Sequence, residues 1–259
     1  MYIDFHSHIL PGIDDGAKTV EDSIAILKDS YKKGIRTVVL TPHYYPKGQE
    51  TLDVFLEKRQ RAYENLKEAY NLCDEPLPEL KLAAEINLRT DLAEYEGIEK
   101  LCIEGTDYIM IEMPYTAWNE NLFDWIYELK YRGLNPVVAH IDRYLDFPQR
   151  VLKSLFDLDL SYQVNADAFL SFAVKREIAK MFSMGLVHIL GSDVHNMAER
   201  KNNIDEAVLV LKAQFGEDYI NFLSENAERM LKNELPHRHS HKALSKVKTW
   251  DLLRNKKNK

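Results

Sequence analysis

Short apolar runs that close on an acid or a histidine recur along the chain, and longer runs with apolar residues at 3–4 spacing separate them. YIDFH, TVVLTPH, KLAAEIN, DYIMIEMP, NPVVAHID, SYQVNAD and VHILGSD read as seven buried strands. Between them, helices are expected from Thr19 to Gly34, over 52–72, and near 119–132, 147–157 and 169–184, with two more at 203–214 and 217–232. The first opens on TVED, a capping box with Asp22 three residues after Thr19, and stops at a C-cap glycine, Gly34. Strands alternating with helices imply parallel pairing through right-handed crossovers. An open doubly wound sheet would spread the polar strand ends along an edge, whereas a barrel gathers them at one mouth. The expected fold is therefore α/β, a barrel of parallel strands and helices.

The polar ends carry the chemistry. His6 and His8, His43, Glu85, Glu112, His140, and Asp193 with His195 all close strands, and Asp15 lies in the first loop. In an extended first strand Asp4, His6 and His8 share a face. Five imidazoles and four carboxylates exceed the roughly four to six ligands of one ion, so they suggest two or three ions with bridging carboxylates. Nitrogen and oxygen donors without thiolate favour Mn, Fe or Zn over calcium or a structural zinc. His188, five positions from Asp193, falls on the opposite face and reads as a packed structural histidine.

Charge and cysteine content narrow the classes. The chain has 259 residues and a net charge of −7. Eight of its 34 Lys/Arg and one of its 41 acids lie in 237–259, so that tail carries +7 and the remainder −14. An acidic body argues against nucleic-acid binding. The expected organisation is one domain over 1–236 followed by a flexible basic tail, 237–259, suited at most to weak contact with a membrane surface or a partner. The HRHSH of the tail lacks nearby carboxylates and is expected to be a loose polar segment. No apolar run approaches the roughly 20 residues of a membrane span, and the N-terminus lacks signal-peptide character. With only Cys73 and Cys102, a reducing, cytoplasmic setting is expected.

HSHILPGIDDGA, TPHY, AEIN, DYIMIEMP, AHIDRY and GSDVHN with Arg200 five residues after His195 resemble, in order over about residues 1–232, the polymerase and histidinol phosphatase (PHP) superfamily. More closely, they resemble its manganese-dependent protein-tyrosine phosphatases of Gram-positive bacteria, encoded with capsule and exopolysaccharide genes. The resemblance implies the PHP fold, a distorted (β/α)7 TIM-like barrel, and three divalent ions, Mn before Fe or Zn. One ion would be held by His6, His8, Glu85 and Asp193, a second by Glu85, Glu112 and His140, and a third by Asp15, His43 and His195. Arg143 and Arg200 would bind phosphate. The extra tyrosine of TPHYYP and the basic tail have no counterpart in the pattern.

The implied reaction is direct hydrolysis of phosphotyrosine in a protein, foremost a bacterial tyrosine kinase. Metal charge lowers the pKa of bound water from 15.7 to about 7, which supplies a nucleophile without cysteine. The cysteine-dependent route needs an arginine six positions after the nucleophile; here Glu79 follows Cys73 and Tyr108 follows Cys102. A tyrosyl phenolate, pKa near 10, leaves with little protonation. Tyr44, Tyr45, Tyr115, Trp118 and Tyr144 lie beside these motifs as candidates to stack on the incoming ring. The alternatives are a small-molecule phosphate monoesterase of the histidinol-phosphatase type, a metal-dependent amide hydrolase, which would not need two arginines, and a metal-stabilised binding module without turnover.

Overall fold

The computed structural model describes residues 1–237 except 49, 117, 171–177, 179, 180 and 182–184. The helix expected over 169–184 falls largely on, and the basic tail beyond His237 falls wholly on, residues outside those described.

Among the described residues, nine short strands form two parallel sheets. β1 (Tyr2–Ser7), β2 (Ile35–Leu40) and β4 (Glu79–Leu82) make one. β3 (His43–Tyr44), β5 (Glu85–Asn87), β6 (Tyr108–Glu112), β7 (Asn135–Val138), β8 (Ser161–Asn165) and β9 (Ile189–Gly191) make the other. The nine strands are the seven expected ones, two of them broken. Thr41–Pro42 separates β2 from β3, and Ala83–Ala84 separates β4 from β5. Pro42 has no N–H to give the ladder, yet hydrogen bonds from Ala83 N to Leu40 O (2.9 Å) and Glu85 N to Pro42 O (3.0 Å) carry the pairing across both breaks. The ring closes where Asp193 N donates to His6 O (2.8 Å) and His8 N donates to Val194 O (2.9 Å). The result is a barrel of seven parallel strands.

Helices α1 (Val20–Lys32), α2 (Leu52–Asn71), α3 (Glu120–Tyr131), α4 (Gln149–Phe156), α5 (Ile204–Phe215) and α6 (Glu217–Leu231) match the expected positions to within two residues. The reciprocal Thr19–Asp22 capping box starts α1. Phe5, Val39, Met110, Val137 and Ile189, from five strands, and Ala83 at the β4–β5 break fill the barrel interior with Ala227 and Met230 of α6. Side chains of opposite parity, such as Val38, Ile86, Ile111 and Val164, pack outward into the main core with the helices.

Two features outside the ladder matter below. Arg59 of α2 is buried, and its guanidinium donates to Ala83 O and Lys100 O, both at 2.7 Å, at the β4–β5 break. After α6, a strap over 232–237 crosses the strand ends remote from the histidines. Asp107 N donates to Asn233 Oδ1, Tyr108 OH donates to Glu234 O, and Asn226 holds His237 through both its amide atoms.

Candidate metal centre

All nine candidate ligands meet at the C-terminal mouth of the barrel, around Glu85. The interior positions Ala83 and Met110 lie two residues before Glu85 and Glu112, so strand alternation lifts both carboxylates from the packed interior to its rim. Glu85 Oε2 lies 3.2 Å from His6 Nε2, 3.3 Å from His8 Nε2 and 3.0 Å from His43 Nδ1, while Oε1 lies 2.7 Å from His140 Nε2. Glu112 Oε1 is 3.6 Å from that same His140 atom. Asp193 Oδ1 lies 3.6 and 3.4 Å from His6 and His8 Nε2. Asp15 Oδ1 lies 3.5 Å from His43 Nε2 and 3.3 Å from His195 Nε2. Three groups have donor atoms close enough to share an ion: His8 with Asp15, His43 and His195; His6 with His8 and Asp193; and His43 with Glu85 and Glu112. His140 joins the last pair through its contacts with both carboxylates.

The donor set fits divalent ions. It is all imidazole and carboxylate, and several imidazoles are aimed by a bond on their other nitrogen, the arrangement metal-binding histidines favour. His8 Nδ1 meets Asp14 Oδ2 at 2.8 Å, His6 Nδ1 donates to Gln163 Oε1 at 3.0 Å, and His195 Nδ1 donates to Asp193 O at 2.9 Å. Each leaves Nε2 facing the cluster. His140 Nδ1 is buried without a hydrogen-bond partner among the described residues.

Packing so many like groups together displaces their titration. Burial would raise Glu85, but charge on His6 and hydrogen bonds from His140 and His43 outweigh it and hold the carboxyl well below its usual range. Burial would lower His8, but Asp14, Asp193 and Glu85 lift it well above the usual imidazole range. His195 is pushed down to about 4 by burial and by charge on His8.

Backbone shape is also unusual at two ligands. His140 (φ 32°) and Asp193 (φ 55°) sit in the left-handed region, a conformation costing non-glycine residues about 1–3 kcal/mol and concentrated at functional sites.

Arg143 and Arg200 reach the centre from two loops and converge on Asp193. Arg143 pairs with Asp193 Oδ2 and donates to Tyr115 OH (3.0 Å). Arg200 lies 2.8 Å from Asp193 Oδ1 and donates to His195 Nε2 (2.8 Å).

Two sequence expectations need correction. Asp4 does not join His6 and His8. Opposite β2, Asp4 pairs with Val38 and Ser7 with Leu40, so β1 holds one extra residue, a bulge that turns Asp4 away. It binds Ser192 Oγ (2.6 Å) and Asn202 Nδ2 (3.1 Å) instead, and burial raises its carboxyl to about 6. Among the loop aromatics, Tyr44, Trp118 and Tyr144 are buried. Tyr144 OH donates to Met113 O and Trp118 Nε1 to Pro114 O. Only Tyr45 (46% exposed), against His43, and Tyr115 (56% exposed), stacked on His140, stand at the mouth. His188, as expected, is packed: it is 2% exposed, its Nδ1 accepts from Tyr162 N, and burial lowers it to about 4.

Sequence reasoning missed Asp14, Asn87, Gln163 and Asn165. Asp14 is the inner member of the Asp pair, and it also accepts from Gly16 N and His43 N. Asn87 Nδ2 donates to Glu112 Oε2 at 2.7 Å. Polar residues two apart inside a buried strand, as in Gln163 and Asn165, were the available signal.

A family model described as capsular polysaccharide synthesis, CpsB/CapC, matches residues 2–232. The tyrosine-protein phosphatase YwqE of Bacillus subtilis (strain 168) is 31% identical over 246 residues, covering 90% of this chain and 92% of that one. The tyrosine-protein phosphatase CpsB of Streptococcus pneumoniae is 29% identical over 227 residues, covering 83% and 91%. A structure from work on YwqE and on CpsB from Streptococcus pneumoniae, described as unique metal-dependent tyrosine phosphatases, superposes with a TM-score of 0.76 at 27% identity, covering 92% of this chain and 97% of that one. A histidinol phosphate phosphatase from Lactococcus lactis, at 13% identity and a TM-score of 0.50, shares the fold. Since the match runs through every strand that supplies a candidate ligand, the chain belongs to the CpsB/CapC family of capsular polysaccharide synthesis.

Proposed function

We propose that this chain is a metal-dependent protein-tyrosine phosphatase of capsule synthesis, acting on phosphotyrosine in a bacterial tyrosine kinase or a related phosphoprotein. The observation that carries this reading is the meeting, at one barrel mouth, of nine imidazole and carboxylate donors with two arginines aimed among them. Three divalent ions, Mn foremost, held by His6, His8, Glu85 and Asp193, by Glu85, Glu112 and His140, and by Asp15, His43 and His195, would supply water activated near neutral pH and positive charge beside the phosphate.

The remaining work belongs to the side chains. Phosphoryl transfer depends on positioning and charge neutralisation more than on covalent help. Arg143 and Arg200 offer planar paired donors to the equatorial phosphate oxygens, and Tyr115 OH fixes the first guanidinium. Tyr45 and Tyr115 present exposed ring faces on two sides of the cluster and flank an aryl group entering between them. The phenolate leaves with little protonation, so a strong general acid is not required. A thiol route is closed at Cys102, because burial pushes its thiol up to about 12.

The test is phosphate release from a phosphotyrosyl peptide and its phosphoseryl twin by metal-stripped protein given Mn²⁺ or Zn²⁺ separately. Metal-dependent release from the tyrosyl peptide alone is expected. Release from neither, with either metal, would sink the reading.

A further inference from the structure

Counting β2 with β3 and β4 with β5, β8 is the barrel strand among the described residues whose end supplies no candidate ligand, yet it is wedged between two that do. β7 ends just before His140, and β9 ends just before Asp193. In place of a ligand, β8 carries two buried amides on one face, Gln163 and Asn165. Gln163 Oε1 accepts from His6 Nδ1 (3.0 Å) and from the backbone N–H of His140 (2.7 Å). The backbone donor fixes which end of the amide is oxygen, and the oxygen in turn makes His6 Nδ1 the protonated nitrogen. Gln163 Nε2 then donates to Asn165 Oδ1 (2.9 Å), and Asn165 Nδ2 donates to Asp193 Oδ2 (3.0 Å). One chain of amides thus touches candidate ligands rooted in β1, β7 and β9.

The chain is sterically enclosed. A Cβ at Gly191 would come 2.7 Å from Gln163 Nε2 and 2.5 Å from His6 Cβ, so the neighbouring strand leaves the glutamine one place to sit. The left-handed backbone of His140 is held in part by the bond its N–H gives Gln163.

We infer that Gln163, relayed by Asn165, is a positioning residue of the metal centre, setting the His6 tautomer and holding His6, His140 and Asp193 in one arrangement for metal. This rests on the metal-centre reading above.

The test measures Mn²⁺ affinity by competition with a chromophoric chelator, beside the thermal midpoint of metal-free protein. Gln163→Met keeps the volume and removes both hydrogen-bonding ends. Loss of such an outer partner typically weakens metal binding about 10–100-fold, and that range is expected here. Gln163→Glu keeps the acceptor for His6 and His140 and is expected to recover most of the affinity. Should Gln163→Met fail to fold, Asn165→Leu cuts the relay to Asp193 alone and is expected to weaken Mn²⁺ binding as well. A lowered thermal midpoint with unchanged Mn²⁺ affinity in Gln163→Met or Asn165→Leu would make the amides merely structural and overturn the inference. So would a Gln163→Glu variant as weak as Gln163→Met. Wild-type protein that binds no Mn²⁺ would overturn the metal centre itself, a failure distinct from the other two.

Discussion

At the scale of single residues, the mouth separates groups that would hold metal from groups that would hold substrate, and variants should divide the same way. Arg143→Ala and Arg200→Ala each remove a charged donor to the transferring phosphate. Each is expected to lower kcat/KM for a phosphotyrosyl peptide by about 100-fold at saturating Mn²⁺, the scale of losing one preorganised donor. Unchanged turnover in both would remove the phosphate-binding role. Tyr45→Ala and Tyr115→Ala should act on the ring instead: KM rises for a tyrosyl peptide but not for a small alkyl phosphate, which steady-state kinetics on both substrates would read. His188 tests pH. Its folded value, lowered to about 4 by burial, lies below the ordinary value near 6.5. The unfolded chain therefore takes up the proton first, and the contribution of this group is present above pH 6.5 and lost as pH falls toward 4. The loss is on the order of 3 kcal/mol. His188→Asn keeps an acceptor for Tyr162 N and should flatten that part of the acid limb in denaturant titrations; an identical pH slope would refute the assignment.

At the scale of elements, the strand breaks and the first loop do the placing. Arg59 reaches from α2 to the Ala83 carbonyl two residues before Glu85. Arg59→Met leaves that acceptor and Lys100 O unpaired, so a loss of about 2 kcal/mol in unfolding free energy is expected, with Mn²⁺ half-saturation moving as Glu85 shifts. The loop after β1 is equally tight: a Cβ at Gly16 would lie 2.0 Å from His8 O. Gly16→Ala is expected to destabilise by about 2–3 kcal/mol through overpacking, and equal thermal midpoints would count against that packing. These elements also show what the sequence could reveal. Seven strands and the helices between them followed from apolar periodicity, and nine donors followed from asking what each strand ended on. The bulge that turns Asp4 aside left no trace, because one extra residue in YIDFH looks like alternation until its partner strand is known. Gln163 and Asn165 stood out only as polar residues two apart in a buried strand, and their role stayed hidden, since a neutral amide there acquires meaning only from the rings beside it. The same holds for Tyr44 and Tyr45: neighbours in sequence, they part into core and mouth where β3 ends, Tyr44 buried on the strand and Tyr45 exposed just beyond it.

At the scale of the molecule, the barrel closes on itself through the bonds from Asp193 to His6 and from His8 to Val194, so its two ends are unlike. One end carries the donors; the other is spanned by the strap over 232–237. Within the described residues no helix is long and apolar enough to cross a membrane. Removal of residues 238–259 is expected to leave turnover of a free phosphopeptide unchanged, with any effect confined to a large, charged partner; a marked loss on the small peptide would place those residues in catalysis. The strap has a practical corollary. It is pinned to Asp107 and Tyr108, at the start of the strand that ends in Glu112, which puts roughly 13 Å of β6 between the two points. Protein coupled to beads or a sensor chip through the chain beyond His237 would therefore present its open mouth to the flowing solution rather than to the support.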